Sequence, residues 1–203
     1  QQWGLLWLLP AELPLWVSMT ITVVILDAAI YVQHVGFHKI DFLWRLHQVH
    51  HADRDIDATT GIRFHPLEAV ISMVYKCVIV FVLGPSVIAI IVFEIILNAS
   101  AMFNHANFHI PQWLDRYLRR IIVTPDSHRV HHSSIQQETD SNYGFFLSIW
   151  DRIFSTYNAQ PIKNHTGMTI GLTEYQTEHP AHLLWCLSLP FKKKKHLSRY
   201  TQQ

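Results

Sequence analysis

Three long apolar stretches constrain the fold of this chain more than any other feature of its sequence. They cover residues 15–32, 67–83 and 86–103 of a 203-residue chain. A transmembrane helix needs about 20 apolar residues to cross about 30 Å of hydrocarbon, so each stretch is short but sufficient for one crossing. Gly84 and Pro85 break the helical pattern between the second and third stretches, which predicts an antiparallel helical hairpin.

The composition agrees with an all-α, integral-membrane helical bundle that forms a single domain over residues 1–203. Hydrophobic residues make up 49% of the chain and charged residues only 15%. The apolar residues 3–9, which end at Pro10, predict a further partial span or an interfacial helix, so the bundle has three to four spans. The net charge of +1 provides no general attraction for nucleic acid, and no nucleic-acid partner is expected.

Lysine and arginine residues lie on one side of the predicted spans. Apart from Lys76, all of them fall in residues 39–63 or after residue 115, and both regions share a side if the spans alternate. The positive-inside rule places this side in the cytoplasm. Residues 192–195 are four consecutive lysines, which predict either a solvated tail or an electrostatic contact with an anionic leaflet.

Three ionisable residues, Asp27, Lys76 and Glu94, fall inside the predicted spans. A charge within a bilayer costs about 3 kcal/mol or more, so such residues tend to pair. Lys76 and Glu94 lie at similar distances from the turn between the second and third stretches, and therefore at similar depth in the hairpin. We expect an ion pair that helps to specify the fold, with a role in substrate binding as the alternative.

Histidine is the compositional outlier, with 15 residues, and ten of these fall into four clusters with the spacings HxxxH, HxxHH, HxxxH and HxxHH. Their members are His34 and His38; His47, His50 and His51; His105 and His109; and His128, His131 and His132. Residues at i, i+3 and i+4 share one face of a helix, so each cluster presents its imidazoles together. All four clusters lie at the cytoplasmic ends of the spans, which predicts a helical cap that holds two metal ions.

The ligand type leaves the metal and the protein class open, because imidazole binds zinc, iron, copper and nickel. The Glu-x-x-His pairs of soluble di-iron bundles do not occur in the sequence. A zinc-dependent membrane hydrolase is one alternative, although it needs only three protein ligands per metal. A histidine-rich metal transporter is another, although transporter ligands lie near the bilayer midplane. A haem protein would need histidines inside the spans, and the three stretches contain none.

Together with these clusters, several flanking segments make the chain resemble the fatty acid hydroxylase/sterol desaturase superfamily, and in particular its compact bacterial members. The resemblance covers about residues 20–175. The flanking segments are 43–47 (LWRLH), 60–68 (TGIRFHPLE), 103–107 (FNHAN), 124–128 (TPDSH), 142–144 (NYG) and 150–154 (WDRIF).

The resemblance implies an O₂-dependent oxidoreductase that hydroxylates or desaturates a lipid-like substrate, such as a fatty acyl lipid or a sterol. It also implies two iron ions, which zinc can replace in a purified sample, with O₂ as cosubstrate. An external cytochrome, ferredoxin or reductase would supply electrons. The ten clustered histidines would be the ligands, with no catalytic side chain beyond the metal centre. The protein would lie among the lipids of a bacterial inner membrane, with its active site facing the cytoplasm.

Ligating imidazoles normally donate their second N–H group to a nearby acceptor. The candidates for such a supporting role are His65, Asn107, Asp126 and Asp140. A helix cap is the simpler interpretation of Asp126, and His65 is equally expected as the N-terminal residue of a helix. The apolar residues between 70 and 103 are expected to line a path for the substrate from the membrane.

Overall fold

The computed structural model describes residues 3–10, 12–177 and 180–192. Three of its helices are long and apolar enough to cross a membrane, as the sequence predicts. They are α1 (Leu15–Lys39), α3 (Pro66–Leu83) and α4 (Val87–His105), and α2 (Asp41–His51) lies between the first two along the chain. Residues 5–8 form only a 3₁₀ turn, so the described residues contain three candidate spans and not a fourth.

Short helices follow α4 and build a cap at the end of the bundle where α1 and α4 finish. They are α5 (Gln112–Leu118), α6 (Pro125–His131), α7 (Gln136–Thr139), α8 (Ile149–Ile153), α9 (Asn164–Gly167) and α10 (Leu183–Ser188). Over the described ranges there is no β-strand, and only two isolated bridges join separate segments. The fold is therefore all-α, as predicted.

The turn between α3 and α4 depends on the conformational freedom of one glycine. Gly84 ends α3 with a φ of 62°, a left-handed conformation that glycine adopts without strain. A Cβ atom at this position would also clash with Trp3 O, so the N-terminal residues can pack on the turn only because Gly84 lacks a side chain. Ser86 then begins α4 by accepting a hydrogen bond from Ala89 N at 3.3 Å.

The three candidate spanning helices are apolar on their inner and outer faces. A buried core joins α1, α3 and α4 and consists of Val23, Leu26, Ile30, Leu83 and Phe93. The outer faces of α3 and α4 expose large apolar side chains, including Val74, Phe81, Ile88 and Ile95. A helix that is apolar on all sides suits a hydrocarbon environment, where water cannot solvate polar groups.

The ion pair predicted across the hairpin is confirmed. Lys76 Nζ lies 2.7 Å from Glu94 Oε1, which joins α3 to α4 within the candidate spans. Asp27, the third ionisable residue of the spans, is buried in α1 and binds the cap instead. Its carboxylate accepts hydrogen bonds from Phe146 N at 3.1 Å, Leu147 N at 3.1 Å and Trp150 Nε1 at 2.8 Å. A buried carboxylate is stabilised when its oxygens are hydrogen-bonded in this way.

A second buried carboxylate holds the loop between α7 and α8. Asp151 accepts hydrogen bonds from Tyr143 N at 2.7 Å, Gly144 N at 2.8 Å and Thr156 Oγ1 at 2.7 Å. Burial raises the pKa of Asp151 to about 6, although these three donors favour the charged form and lower the pKa. Asp27 and Asp151 together fix residues 142–147 against α1.

The last described residues pack on α2. Leu189 lies in a small buried cluster with Val49 and Ala52. Arg45 Nε donates a hydrogen bond to Pro190 O at 2.6 Å, which ties the same segment to α2. Of the lysine run at residues 192–195, all but Lys192 lies outside the described residues.

Candidate metal centre

Nine of the ten clustered histidines come together in two buried groups. The first group contains His34, His38, His47, His51 and His131. The second contains His50, His105, His128 and His132. Within each group, one ring nitrogen from every residue lies within 4.8 Å of the others. Four segments that are distant in sequence therefore meet in one pair of adjacent sites.

The helical spacing explains how each segment contributes. α2 is continuous from Asp41 to His51, so His47, His50 and His51 project from one face. In α6, Pro125 occupies the first turn, and Thr124 forms a capping box with Ser127, which fixes where this helix begins. The histidine triplet of α6 contributes to both groups. His131 belongs to the first group, and His128 and His132 belong to the second.

The second group has the geometry of ligands around a single ion. His105 Nε2 lies 3.1 Å from His50 Nε2, 3.1 Å from His132 Nε2 and 3.0 Å from His128 Nε2. Three neutral rings cannot all share a hydrogen bond with one nitrogen, which carries at most one proton. Nitrogens bound to one metal at about 2.0–2.1 Å lie about 2.9–3.4 Å apart, so these separations fit metal ligands.

Backbone carbonyls fix the tautomer of three histidines. His34 Nδ1 lies 2.8 Å from Tyr143 O, His105 Nδ1 lies 2.6 Å from Ala101 O, and His131 Nδ1 lies 2.7 Å from Ser141 O. A carbonyl oxygen only accepts, so each Nδ1 carries the proton and each Nε2 presents a lone pair. The loop between α7 and α8 supplies two of these three carbonyls, those of Ser141 and Tyr143.

A carboxylate performs the same task for His47. Its Nδ1 donates to Glu68 Oε1 at 2.6 Å, and both side chains are buried. Glu68 lies in the first turn of α3 and joins this helix to α2 through His47. Glu68 is not among the site residues predicted from the sequence, although it lies in the segment 60–68 that carries part of the family resemblance. The available signal was an acidic residue in the first turn of a predicted apolar helix.

Burial keeps most of the clustered histidines of α2 and α6 neutral. It lowers the pKa of His50, His51, His128 and His132 well below the ordinary value of 6.5, and neighbouring imidazoles lower it further. Burial also lowers the pKa of His131, to about 3, against the opposing effect of its hydrogen bond to Ser141 O. A neutral imidazole is the form that binds a metal.

His109, the tenth clustered histidine, does not join either group. α4 ends at His105, and Ala106 is extended with a φ of −62° and a ψ of 132°, so the helical spacing fails after the first member of the pair. His109 Nδ1 instead donates to Asp126 Oδ1 at 2.9 Å on the surface of the cap. His109 therefore does not lie among the clustered ring nitrogens, in contrast to the prediction that it is a metal ligand.

The four candidate supporting residues have different environments. His65 is the N-cap of α3, where its Nδ1 accepts from Leu67 N at 3.2 Å, and Asn107 is exposed after α4. Asp126 binds Arg129 and the surface residue His109, and it is not the N-cap of α6, which is Thr124. Asp140 is the one of the four near a group: its Oδ1 lies 3.5 Å from His38 Nδ1.

A cavity of about 190 Å³ connects both groups to the interior of the spans. Five histidines line its upper end: His34, His47, His50, His105 and His128. The rest of the wall is mainly apolar, with contributions from Ile30, Phe37, Phe64, Leu97 and Phe145. Such a cavity can bring a hydrophobic molecule to the two groups from the membrane side.

The model of the fatty acid hydroxylase family matches residues 19–156, a range that includes every histidine of the two groups. The chain belongs to the fatty acid hydroxylase family. Its relatives include alkylglycerol monooxygenase of Homo sapiens, which is 27% identical over 155 residues, or 74% of this chain and 33% of the relative. Ornithine lipid hydroxylase OlsE of Rhizobium tropici is 26% identical over 164 residues, or 81% of this chain and 48% of the relative.

Lathosterol oxidase of Homo sapiens is a further relative, 24% identical over 132 residues, or 64% of this chain and 42% of the relative. The chain thus spans a third to a half of the length of these curated relatives. No solved structure matches the chain. The relatives all carry names of oxidative enzymes, and the family assignment agrees with the resemblance that the histidine clusters indicate.

Proposed function

We propose that this protein is a membrane-bound, O₂-dependent di-iron oxygenase that hydroxylates or desaturates a lipid-like substrate. The observation that carries the proposal is the pairing of two buried histidine groups above one apolar cavity. Its relatives are named for alkylglycerols, ornithine lipids and lathosterol, which are all hydrophobic or amphipathic molecules. This supports a substrate of the same general class.

The residues fit two metal ions. Several buried ring nitrogens have no hydrogen-bond partner within the protein, including His38 Nε2, His47 Nε2, His51 Nε2 and His131 Nε2 of the first group. A buried nitrogen without a partner is unfavourable unless a ligand satisfies it. The first group would hold one ion with five imidazoles and the second group would hold the other with four. When bound, the two irons would supply the activation of O₂ and the oxidation of a C–H bond.

The protein itself would hold and shield the reaction. The carbonyls of Ala101, Ser141 and Tyr143 retain the protons on three Nδ1 atoms, so these rings keep their lone pairs directed into the groups. Phe64 stacks on His50 at a centroid distance of 4.6 Å and helps to exclude water from the upper cavity. The apolar wall below would place the hydrocarbon part of a substrate beside the metals.

The same arrangement supports a particular membrane orientation. Both groups lie where α1 and α4 end and the cap begins. The sequence places all lysine and arginine residues except Lys76 on this side, which the positive-inside rule assigns to the cytoplasm. We therefore propose a bacterial inner-membrane enzyme with its metals on the cytoplasmic side. A cytoplasmic cytochrome, ferredoxin or reductase would then deliver electrons to the cap.

The zinc hydrolase and the metal transporter remain as alternatives with less support. A hydrolase needs a carboxylate base beside its metal, whereas Glu68 is already engaged with His47. A transporter needs ligands near the bilayer midplane, whereas these groups lie at one end of the candidate spans.

Metal analysis and O₂ uptake of the full chain test the proposal. Protein purified in detergent and reconstituted with ferrous iron should bind one iron per histidine group and consume O₂ when reductant and a lipid extract are added. His50→Ala and His131→Ala, one from each group, should each remove about one iron and abolish uptake. Product analysis by mass spectrometry should show a lipid that has gained one oxygen or lost two hydrogens. Normal O₂ uptake by both variants would overturn the proposal.

A further inference from the structure

The cavity below the metal groups contains polar side chains that the proposed reaction does not use. Gln33, Ser72, Lys76 and Asn98 line it in the otherwise apolar interior of the spans. Polar groups within a membrane are unfavourable unless they have partners, so their presence beside a substrate cavity requires a physical reason.

Gln33 provides the decisive observation. Its Nε2 atom is buried and has no hydrogen-bond partner among the described residues, although the side chain lines the cavity. An amide nitrogen is a donor, so it lacks an acceptor. Gln33 also precedes His34 directly in α1, which places this donor close to the first histidine group.

Lys76 provides a second donor farther into the membrane. Glu68, Ser72 and Lys76 follow each other at intervals of four residues along one face of α3. Lys76 therefore lies about 12 Å below Glu68 along the helix axis. One proton of its ammonium group binds Glu94 Oε1 at 2.7 Å, and the group has two further protons.

The charge of Lys76 is balanced by Glu94, and this restricts the ligand at that end of the cavity. Glu94 neutralises Lys76, and Asn98 Nδ2 donates to Glu94 O at 2.7 Å on the same side of the hairpin. Beside Lys76, a carboxylate or phosphate would add an uncompensated negative charge inside the bilayer, which is unfavourable. A neutral oxygen, such as that of a hydroxyl, ether, ester or amide group, would satisfy the donors without adding charge.

We propose that this cavity selects lipids that carry a neutral oxygen acceptor close to the oxidised carbon, with Gln33 as the donor that recognises it and Lys76 as a further donor deeper in the cavity. This inference rests on the proposed function and specifies its substrate class. The size of the cavity agrees, because about 150 Å³ accommodates benzene and 190 Å³ therefore holds only a segment of a lipid. The oxygen and the oxidised carbon must both lie within that segment, while the remaining chain extends between the helices into the membrane.

A binding experiment with two matched probes tests this inference without turnover. The full chain is loaded with zinc, which supports no O₂ chemistry, and is equilibrated with 1-hexadecanol or with n-hexadecane in lipid nanodiscs. The amount of each probe that remains with the purified protein is measured by mass spectrometry. The wild-type protein should retain more of the alcohol, by about three- to tenfold, as expected for one or two hydrogen bonds.

The variants identify the donors. Gln33→Leu should bring the ratio of retained alcohol to alkane close to one, and the double variant Lys76→Met with Glu94→Met should lower it as well. Val32→Leu is the matched control, because Val32 neighbours Gln33 but is exposed on the outer face of α1, and its ratio should equal that of the wild type. If the double variant does not fold, Gln33→Leu alone decides the result.

An equal retention of the two probes by the wild-type protein would overturn the inference, as would an unchanged ratio in Gln33→Leu. Neither result would affect the proposed oxygenase activity, which is tested separately by iron binding and O₂ uptake. Conversely, a clear preference for the alcohol in a protein that takes up no O₂ would support the binding site and contradict the oxygenase.

Discussion

Two pairs of histidines share the same three-residue spacing, yet the structure gives them different environments. His34 and His38 lie on α1, which continues to Lys39, and both join the first histidine group. His105 joins the second group, but α4 ends there, and His109 lies on the surface with 64% of its side chain exposed. The comparison shows that HxxxH brings two imidazoles together only where the helix continues through the whole pair.

The partners of the two outer histidines extend the comparison. His38 lies inside the first group, with ring centroids 4.8 Å from His51 and 4.7 Å from His131. His109 instead pairs with Asp126, which also binds Arg129, and its ring centroid lies 6.3 Å from that of His165. Identical spacing therefore produces a proposed metal ligand in the first pair and a surface ion pair in the second.

The largest difference between the two pairs is expected when the second histidine of each pair is replaced by alanine. We expect His38→Ala to lose most of the iron from the first group and to abolish O₂ uptake, because it removes one of five clustered imidazoles. His109→Ala should keep both irons and most of the activity. Iron content by mass spectrometry and uptake by an oxygen electrode measure both effects. Loss of iron from His109→Ala would show that the surface pair closes onto the metals when they bind.

Acid should produce the next largest effect, through the buried members of the groups. The pKa of His131 falls from 6.5 to about 3 on burial, so the unfolded chain binds a proton at pH values where the folded chain does not. The stability that this group contributes is therefore complete above pH 6.5 and is lost as the pH falls toward 3. Thermal unfolding of the metal-free protein in detergent should show a falling midpoint over this range.

A substitution at the same position provides the control for the acid experiment. His131→Leu removes the titrating group, so its unfolding midpoint should depend less steeply on pH than that of the wild-type protein. Parallel profiles for the two proteins would mean that other groups dominate the acid response.

Removing the charge of a carboxylate that contacts a histidine should have a smaller effect, which is measured as metal affinity. Glu68→Gln removes the charge that accepts the proton of His47 Nδ1, and metal affinity should fall about 10- to 100-fold. Asp126→Asn makes the same change beside His109, where no decrease is expected. Competition with a metal chelator at fixed pH measures both affinities. A similar decrease in the two variants would contradict the difference between the pairs.

The sequence was sufficient to predict the three spans, the hairpin, the Lys76–Glu94 pair and the convergence of the four clusters. Each of these follows from a short-range pattern, such as apolar length or helical spacing. The end of α4 at His105 was not predictable in the same way, because the following residues Ala106 and Asn107 do not forbid a helix.

The supporting contacts were harder to predict because they join distant parts of the chain. Glu68 meets His47 across 21 residues, and Tyr143 O meets His34 across 109 residues. Backbone carbonyls have no sequence signature at all, since every residue carries one. Buried acids such as Asp27 and Asp151 indicate only that a partner exists, and the folded chain determines which backbone N–H groups fill that role.

The smallest expected effect concerns Gly36, the residue between the two histidines of the pair that remains helical. A Cβ atom at Gly36 would meet no other atom within 4 Å, so alanine fits without rearrangement. Glycine destabilises a helix interior by about 0.5–1 kcal/mol relative to alanine, so Gly36→Ala should raise the unfolding midpoint by about 1–4 °C and leave both irons bound. Gly61→Ala should have the opposite effect and lower the unfolding midpoint. Its Cβ atom would lie 2.7 Å from Ala101 O, which is the acceptor of the His105 Nδ1 hydrogen bond. Loss of iron from Gly36→Ala would show that the backbone between His34 and His38 must leave the helix for both residues to bind metal.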